Sequence, residues 1–239
     1  MPYRSNPFTI EEVRQFWDGV ADIYESSNEN VRGVHDQRYR VAVELLSPQP
    51  GLRTLNLWSR AGRSLHYLRP ALGAGEIVNL EPSDRLRGMA QARFPDESFG
   101  STNLLDIDYP EDYFDRIVSL ETLEHAPDPA ALTRSFARVL RPGGRAVISL
   151  PPPSAEIALF IYELFVKNHG EGPHRFLSYQ EMRGHLEAAG FRLAEHRATL
   201  FVPFDAAPAA RLNAFLERHS RGLGLRDFGL RHFYVVEKP

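Results

Sequence analysis

The 239-residue sequence contains no cysteine, only two lysines (Lys167 and Lys238), three methionines and two tryptophans. Without cysteine there is no disulfide, no thiol nucleophile and no zinc–thiolate centre. Neither charge sign dominates: 28 basic against 31 acidic residues give a formal net charge of −3. That balance leaves no electrostatic footprint for nucleic acid or an anionic membrane. The longest apolar run, near Ile157 to Tyr162, falls far short of the roughly 20 residues of a membrane helix. Met1-Pro2-Tyr3-Arg4-Ser5-Asn6-Pro7-Phe8 lacks the apolar core of a signal peptide. Arginine almost without lysine reads as the coding bias of a GC-rich bacterium. With 43% hydrophobic residues, the chain has the means to build a sizeable core. These properties predict one large globular domain, or a domain with an appendage, in the cytoplasm, with no nucleic-acid or membrane partner.

Thr9-Ile10-Glu11-Glu12 has the form of a capping box, and Phe16, Trp17, Val20 and Tyr24 continue it at helical spacing. A second helix is expected over Arg32–Leu46, stopped by Ser47-Pro48-Gln49-Pro50-Gly51. Beyond Arg53, short apolar runs alternate with helical segments. Strands are predicted at Thr54–Trp58, Ile77–Leu80, Ser98–Leu104, Phe114–Leu120 and Ala146–Leu150, with helices at Gly62–Leu72, Ser83–Arg93 and Pro129–Leu140. Such alternation argues for a parallel sheet with helices on both faces. Asp128 is a fitting N-cap before Pro129, and Leu140-Arg141-Pro142-Gly143-Gly144 is expected to turn into the next strand. Further helices are expected over Ala155–Lys167, Ser178–Ala189 and Ala206–Arg221, an extended segment over Phe191–Thr199, and a terminal strand at Phe233-Tyr234-Val235-Val236.

Three segments occur in a telling order: Phe114-Asp115-Arg116-Ile117-Val118-Ser119, then Leu123-Glu124-His125-Ala126-Pro127-Asp128-Pro129, then Leu140-Arg141-Pro142-Gly143-Gly144. Together they resemble the core of a class I S-adenosylmethionine-dependent methyltransferase, and the resemblance spans nearly the whole chain. It implies an α/β, doubly wound, Rossmann-like, seven-stranded and mostly parallel sheet. A helical cap would cover residues 1–50. A methyltransferase-like domain would follow over 51–239, with substrate-lid insertions near 151–177 and 200–229.

In such a fold the ligand lies at the carboxyl ends of the strands, by the first strand–helix turn. The family usually reads D-x-G-x-G-x-G there. Here Asn56 replaces the acid, Trp58 and Arg60 replace the first two glycines, and only Gly62 survives. A tryptophan at a point of close backbone approach takes the ligand's space unless it points away. Losing the carboxylate exchanges a charge-assisted bond of about 1.5–3 kcal/mol for a neutral one of about 1 kcal/mol. The resemblance further assigns Glu81 to the ribose hydroxyls, Asn103 with its neighbour Leu104 to the adenine, and Glu121 to the end of the fourth strand. Two readings follow. In one, S-adenosylmethionine is still bound, with Trp58 swung out, and a small molecule is methylated at a hydroxyl. In the other, the chain is a pseudo-methyltransferase that has lost its donor and acts as a binding or regulatory protein.

Glu121-Thr122-Leu123-Glu124-His125 resembles the E-x-x-E-H of ubiquinone-biosynthesis O-methyltransferases and small-RNA 2′-O-methyltransferases. In those families the two glutamates and the histidine bind a divalent ion together with a later histidine, here His174. The resemblance therefore implies a site for an ion such as Mg²⁺ on Glu121, Glu124, His125 and His174, a set suited to hard or borderline cations. The alternative is metal-free, with His125 and Glu124 as the catalytic pair and His125 as general base near neutrality. Tyr24 is a lid candidate. His35, Arg38 and Tyr39 either close over the ligand or form an exposed helix face. Arg211, Arg218, Arg221, Arg226 and Arg231 read as a solvated face, and Phe160, Tyr162, Phe165, Phe201 and Phe204 as core or substrate lid.

Overall fold

A computed structural model describes residues 6–29, 32–159, 170, 172–202, 207–220 and 228–239. The N-terminal helix α1 (Ile10–Glu29) starts at the expected capping box: Glu12 accepts from the Thr9 amide at 2.7 Å, and the Glu12 amide donates to Thr9 Oγ1 at 3.3 Å. Helix α2 covers Arg32–Leu46. Then follow β1 (Thr54–Leu57), α3 (Leu65–Leu72), β2 (Ile77–Leu80), α4 (Asp84–Arg93), β3 (Phe99–Gly100) and β4 (Phe114–Leu120). A single 3₁₀ turn at Leu123–His125 leads to α5 (Pro129–Val139), β5 (Leu140–Leu150), α6 (Tyr179–Ala188), β6 (Arg192–Thr199), α7 (Ala207–His219) and β7 (Arg231–Glu237).

The seven strands form one sheet in the order β3-β2-β1-β4-β5-β7-β6. Every pair from β3 to β5 is parallel, and β7 lies antiparallel between β5 and β6. This is the mostly parallel, doubly wound architecture expected. One face packs Val13, Trp17 and Ala21 of α1 with Leu86, Leu132 and Met182 onto Leu57, Ile117 and Ile148. The other packs Tyr39, Ala42 and Leu46 of α2 with Leu65 and Leu68 onto Val118, Val147 and Phe233. The N-terminal helices thus stand on opposite faces and share the two cores with the sheet.

Several boundaries differ from the sequence-based expectation, each for a local reason. The strand expected over Ser98–Leu104 shrinks to Phe99–Gly100. The chain then enters a turn in which the amides of Leu105 and Asp106 both donate to Asn103 Oδ1 at 2.9 Å. Helix α3 begins at Leu65, because residues 58–64 are consumed by the loop after β1. The glycine pair at 143–144 lies within β5 because the C-terminal strand runs past it: the Gly143 amide donates to the Lys238 carbonyl at 2.8 Å, and the Lys238 amide to Gly144 at 3.1 Å. A Cβ at Gly144 would lie 2.7 Å from Leu140 Cγ, so the close approach requires glycine there. Helix caps agree with the sequence: Asp128 accepts from the Ala131 amide, and Ser178 with Glu181 completes a capping box. Residues 155–159 are helical as expected. The remainder of that segment lies outside the described residues, as do Phe160, Tyr162, Phe165, Phe204, Arg221 and Arg226. Among the described residues no helix is long and apolar enough to cross a membrane.

Candidate functional site

The chain order reverses between β1 and β4, so the carboxyl ends of β1, β2 and β4 open a crevice at the topological switch point. Three connections line it: the loop after β1, Glu81 after β2 and Glu121 after β4.

The loop after β1 carries its own surprise in the backbone. The Trp58 and Ser59 amides both donate to the Leu80 carbonyl, at 2.8 and 3.1 Å. Trp58, Arg60 and Gly62 then take φ values of 64°, 53° and 81°. The left-handed conformation recurs at every second residue, the spacing of the family's glycines, although two of the three positions carry large side chains. Each costs about 1–2 kcal/mol of backbone strain in a residue with a Cβ. Gly62 alone has no alternative, since a Cβ there would lie 2.9 Å from the ring of Phe94.

Those two side chains turn into the crevice. The Arg60 guanidinium lies 3.5 Å from the centre of the Trp17 ring and 4.0 Å from that of Trp58, with Tyr24 at 5.9 Å. Trp58 stacks on His125 with ring centres 5.0 Å apart and planes 11° from parallel. Two indoles thus clamp one cation, an arrangement that contributes about 2 kcal/mol when desolvated. Arg60 is 8% exposed and Trp58 is 4% exposed, so both belong to the interior.

The polar groups assigned to the ligand are engaged by the protein. Glu81 is fully buried; its Oε2 accepts from the Arg60 amide at 2.8 Å and its Oε1 from the Ser83 amide at 3.1 Å. Burial pushes the Glu81 carboxyl up, against the pull of the Arg60 charge. Asn56 donates to Ser64 Oγ at 2.9 Å and to Asn79 Oδ1 at 2.7 Å. Asn103 spends its carbonyl oxygen on the two backbone amides described above, and Leu104 is buried at φ 53°. Between these groups lies a cavity of about 10 Å³, lined by Arg38, Tyr39, Asn56, Trp58, Ser59 and Arg60 among others. That is room for about one water.

The set expected to hold a divalent ion is not assembled. Glu121 (φ 53°) accepts from Arg231 Nε at 2.6 Å and from Arg38 Nη1. Burial pushes its carboxyl up, but Arg231 and Arg38 together hold it well below the usual carboxylate range. His125 gives Nδ1 to the Pro173 carbonyl at 2.8 Å, and His174 directs Nδ1 to the Gly172 carbonyl and Nε2 to Glu156. Glu124 is buried at the turn. Among the described residues no group of three or more His, Asp or Glu side chains gathers around a metal position. A physical reason is that the Arg38 and Arg231 guanidiniums engage both oxygens of Glu121.

His125 differs from expectation as well. Burial, and then the Arg60 charge, lower its pKa to about 3, so the ring is neutral and a weak base. With the folded-state value depressed, this ring's contribution to stability is full above about pH 6.5 and is lost as pH falls toward about 3. His125→Phe keeps a ring against Trp58 and should flatten that acid limb. Melting temperature measured from pH 7 to pH 4 checks it; equal slopes in the variant and the parent would refute it.

Two arginines read from sequence as surface features are also interior: Arg38 is 6% and Arg231 5% exposed. Tyr39 is buried with them, while Arg211 and Arg218 do lie on an exposed helix face. Trp17, half of the clamp on Arg60, was visible only as one more apolar residue at helical spacing. Tyr24, expected as a lid, is the third aromatic beside Arg60.

A family model described as a methyltransferase domain matches residues 33–196. The 2-phytyl-1,4-naphtoquinone methyltransferase of Synechococcus elongatus is 31% identical over 148 residues, covering 58% of this chain and 63% of that protein. The ubiquinone/menaquinone biosynthesis C-methyltransferase UbiE of Shewanella baltica is 27% identical over 164 residues, covering 65% of each. This chain therefore matches just under two thirds of the length of these curated relatives. Among solved structures, the [4+2]-cyclase SpnF superposes with a TM-score of 0.74 at 16% identity, covering 98% of both chains.

Proposed function

Because this chain belongs to the class I S-adenosylmethionine-dependent methyltransferase family, we propose that it keeps the family's fold with a donor crevice closed by its own side chains, and acts by binding rather than by methyl transfer. The carrying observation is the Trp17–Arg60–Trp58 clamp, which occupies the crevice with three interior side chains. Two further features support the reading. Glu81, the carboxylate that the family turns toward ribose, accepts from the backbone amides of Arg60 and Ser83. His125 stands behind Trp58 as a neutral ring with little basicity. A fold of this kind hosts more than one chemistry, and the fold neighbour SpnF is named for a cyclase activity.

A second reading, methyl transfer to a small molecule, is favoured by the relatives, one named for a naphthoquinone that it methylates and the other, UbiE, for C-methylation in ubiquinone/menaquinone biosynthesis. On that reading Arg60 and Trp58 leave the crevice when the donor arrives. Breaking the clamp would then be the cost of binding. Isothermal titration calorimetry with S-adenosylmethionine and S-adenosylhomocysteine, with and without Mg²⁺, separates the two. The closed crevice is expected to give no heat and no change in melting temperature. Micromolar affinity for either molecule would overturn it in favour of methyl transfer.

A further inference from the structure

Helix α7 (Ala207–His219) is inverted for a helix packed on a domain, because the side chains that fasten it are polar. Asn213 is 8% exposed; its Oδ1 accepts from the Phe201 and Val202 amides at 2.8 and 2.9 Å, and its Nδ2 donates to the Val202 carbonyl at 2.8 Å. Glu217 accepts from the Leu200 amide at 3.1 Å and from Gln37 of α2. A surface helix ordinarily turns its apolar stripe to the core and its charges to water.

The outward stripe of α7 is apolar and basic instead. Pro208, Arg211, Leu212, Phe215, Arg218 and His219 are all exposed, and at 3.6 residues per turn they fall within about 120° of the helix surface. Leu212 and Phe215 are 47% and 54% exposed. Phe228, 69% exposed, belongs to the same edge of the sheet, where the Leu230 amide donates to the Leu200 carbonyl at 2.9 Å. These three stand among five large apolar side chains exposed in the described residues, so apolar surface gathers where α7 lies. Its polar inner face cannot take that surface in.

Charge decides what covers the stripe. Glu217 is the one acid of α7, and its carboxylate is turned inward onto Leu200 and Gln37. Arg211 and Arg218 stand about one turn before and one turn after Phe215, both exposed. A second copy docked on the same stripe about a two-fold axis would bring arginine against arginine. Protruding side chains on a convex helix form no groove for a peptide. The headgroup layer of a bilayer takes up such apolar side chains, and its anionic lipids attract the arginines beside them.

We propose that α7 docks on an anionic phospholipid surface, with Leu212, Phe215 and Phe228 entering the headgroup layer and Arg211 and Arg218 on lipid phosphates. The net charge of −3 argues against such a partner only as an average over the whole chain. Leu150 pairs with His232, and Thr199 with Arg231, so α7 lies at the end of the sheet where β5 finishes and the crevice opens. Docking would therefore hold that end toward the lipid. The proposal is independent of whether the crevice is closed.

Co-sedimentation with vesicles of phosphatidylcholine, alone and mixed with phosphatidylglycerol, tests it. The protein should pellet with the mixed vesicles and stay in solution with phosphatidylcholine alone. Salt at about 1 M, where the Debye length is about 3 Å, should release most of it. Leu212→Ser with Phe215→Ser is expected to weaken partitioning about ten-fold or more, since each side chain loses its burial in the lipid. Arg211→Gln with Arg218→Gln is expected to weaken it about ten-fold as well. All four positions are exposed, so the melting temperature should stay near that of the parent, and each pair tests the proposal should the other fail to fold. No pelleting with mixed vesicles, equal pelleting with both kinds, or binding that neither pair alters would overturn it. Retention on immobilised polyglutamate without vesicle binding would overturn it in favour of an acidic protein, and a dimer lost in Leu212→Ser with Phe215→Ser in favour of a second copy.

Discussion

Replacing Trp58 and Arg60 by glycine is expected to open the crevice to S-adenosylmethionine, and adding Asn56→Asp to tighten binding further. The backbone at both positions is already left-handed, at φ 64° and 53°, so glycine fits without rearrangement and relieves about 1–2 kcal/mol at each. Removing the two side chains vacates the space between Trp17 and His125. A carboxylate at position 56 would add a charge-assisted bond of about 1.5–3 kcal/mol, or about ten- to a hundred-fold in affinity. It would also sit against Asn79 Oδ1, so that amide must turn over and give up its bond to the Ser98 carbonyl at 3.2 Å. Binding should therefore appear in the double variant and strengthen in the triple. The same variants lose a buried indole, which costs about 3–5 kcal/mol and is only partly offset by the relieved strain. Calorimetry against S-adenosylmethionine, beside denaturant melts, reads both effects. A well-folded triple variant that takes up no S-adenosylmethionine would show that more than these three residues keeps the donor out.

The second large effect is expected at Glu121. Its carboxylate lies between the Arg38 and Arg231 guanidiniums, whose side chains are 7% and 6% exposed. Glu121→Gln leaves two buried cations facing each other with a neutral amide between them. Removing one partner from a buried ion pair typically costs about 3–5 kcal/mol, because the residual charge stays unpaired. The loss should be read from chemical denaturation at neutral pH. The sign with pH follows from the depressed carboxyl: its stabilisation is complete above the ordinary glutamate value and is lost only as pH falls through the much lower folded-state one. The parent should keep this contribution through mild acid, so the gap between parent and Glu121→Gln should stay constant from pH 7 down to about pH 5. A gap below about 1 kcal/mol would mean that solvent reaches both guanidiniums.

Both effects depend on contacts that the sequence renders unequally. Periodicity located β2, β4 and α2 to the residue, because each is a short apolar run or an amphipathic stretch bounded by strong turn signals. The altered loop was legible too, since Trp58 and Arg60 stand where close approach calls for glycine. Its consequence was not. Whether a tryptophan at that point swings out or turns inward depends on Trp17, forty-one positions earlier, and no local pattern joins the two. The same holds for the ion-pair triad. Arg38, Glu121 and Arg231 are far apart in the chain and meet only because β7 inserts beside β5 while α2 lies across the same end of the sheet. The expected metal set is likewise not gathered among the described residues: the E-x-x-E-H spacing is present, but arginines from two distant elements hold Glu121.

The clamp also couples parts of the molecule mechanically. Trp17 ties the middle of α1 to the loop after β1, Asp18 accepts from Ser83 Oγ at 2.6 Å at the start of α4, and the Asn6 side chain donates to the Ala126 carbonyl at 2.7 Å. The first helix is thereby fastened at its entry, at its centre and to its neighbour. Release of the Arg60 guanidinium alone would leave the Asp18 and Asn6 bonds in place, so the loop after β1 can rearrange while the N-terminal helix stays fastened to its neighbours.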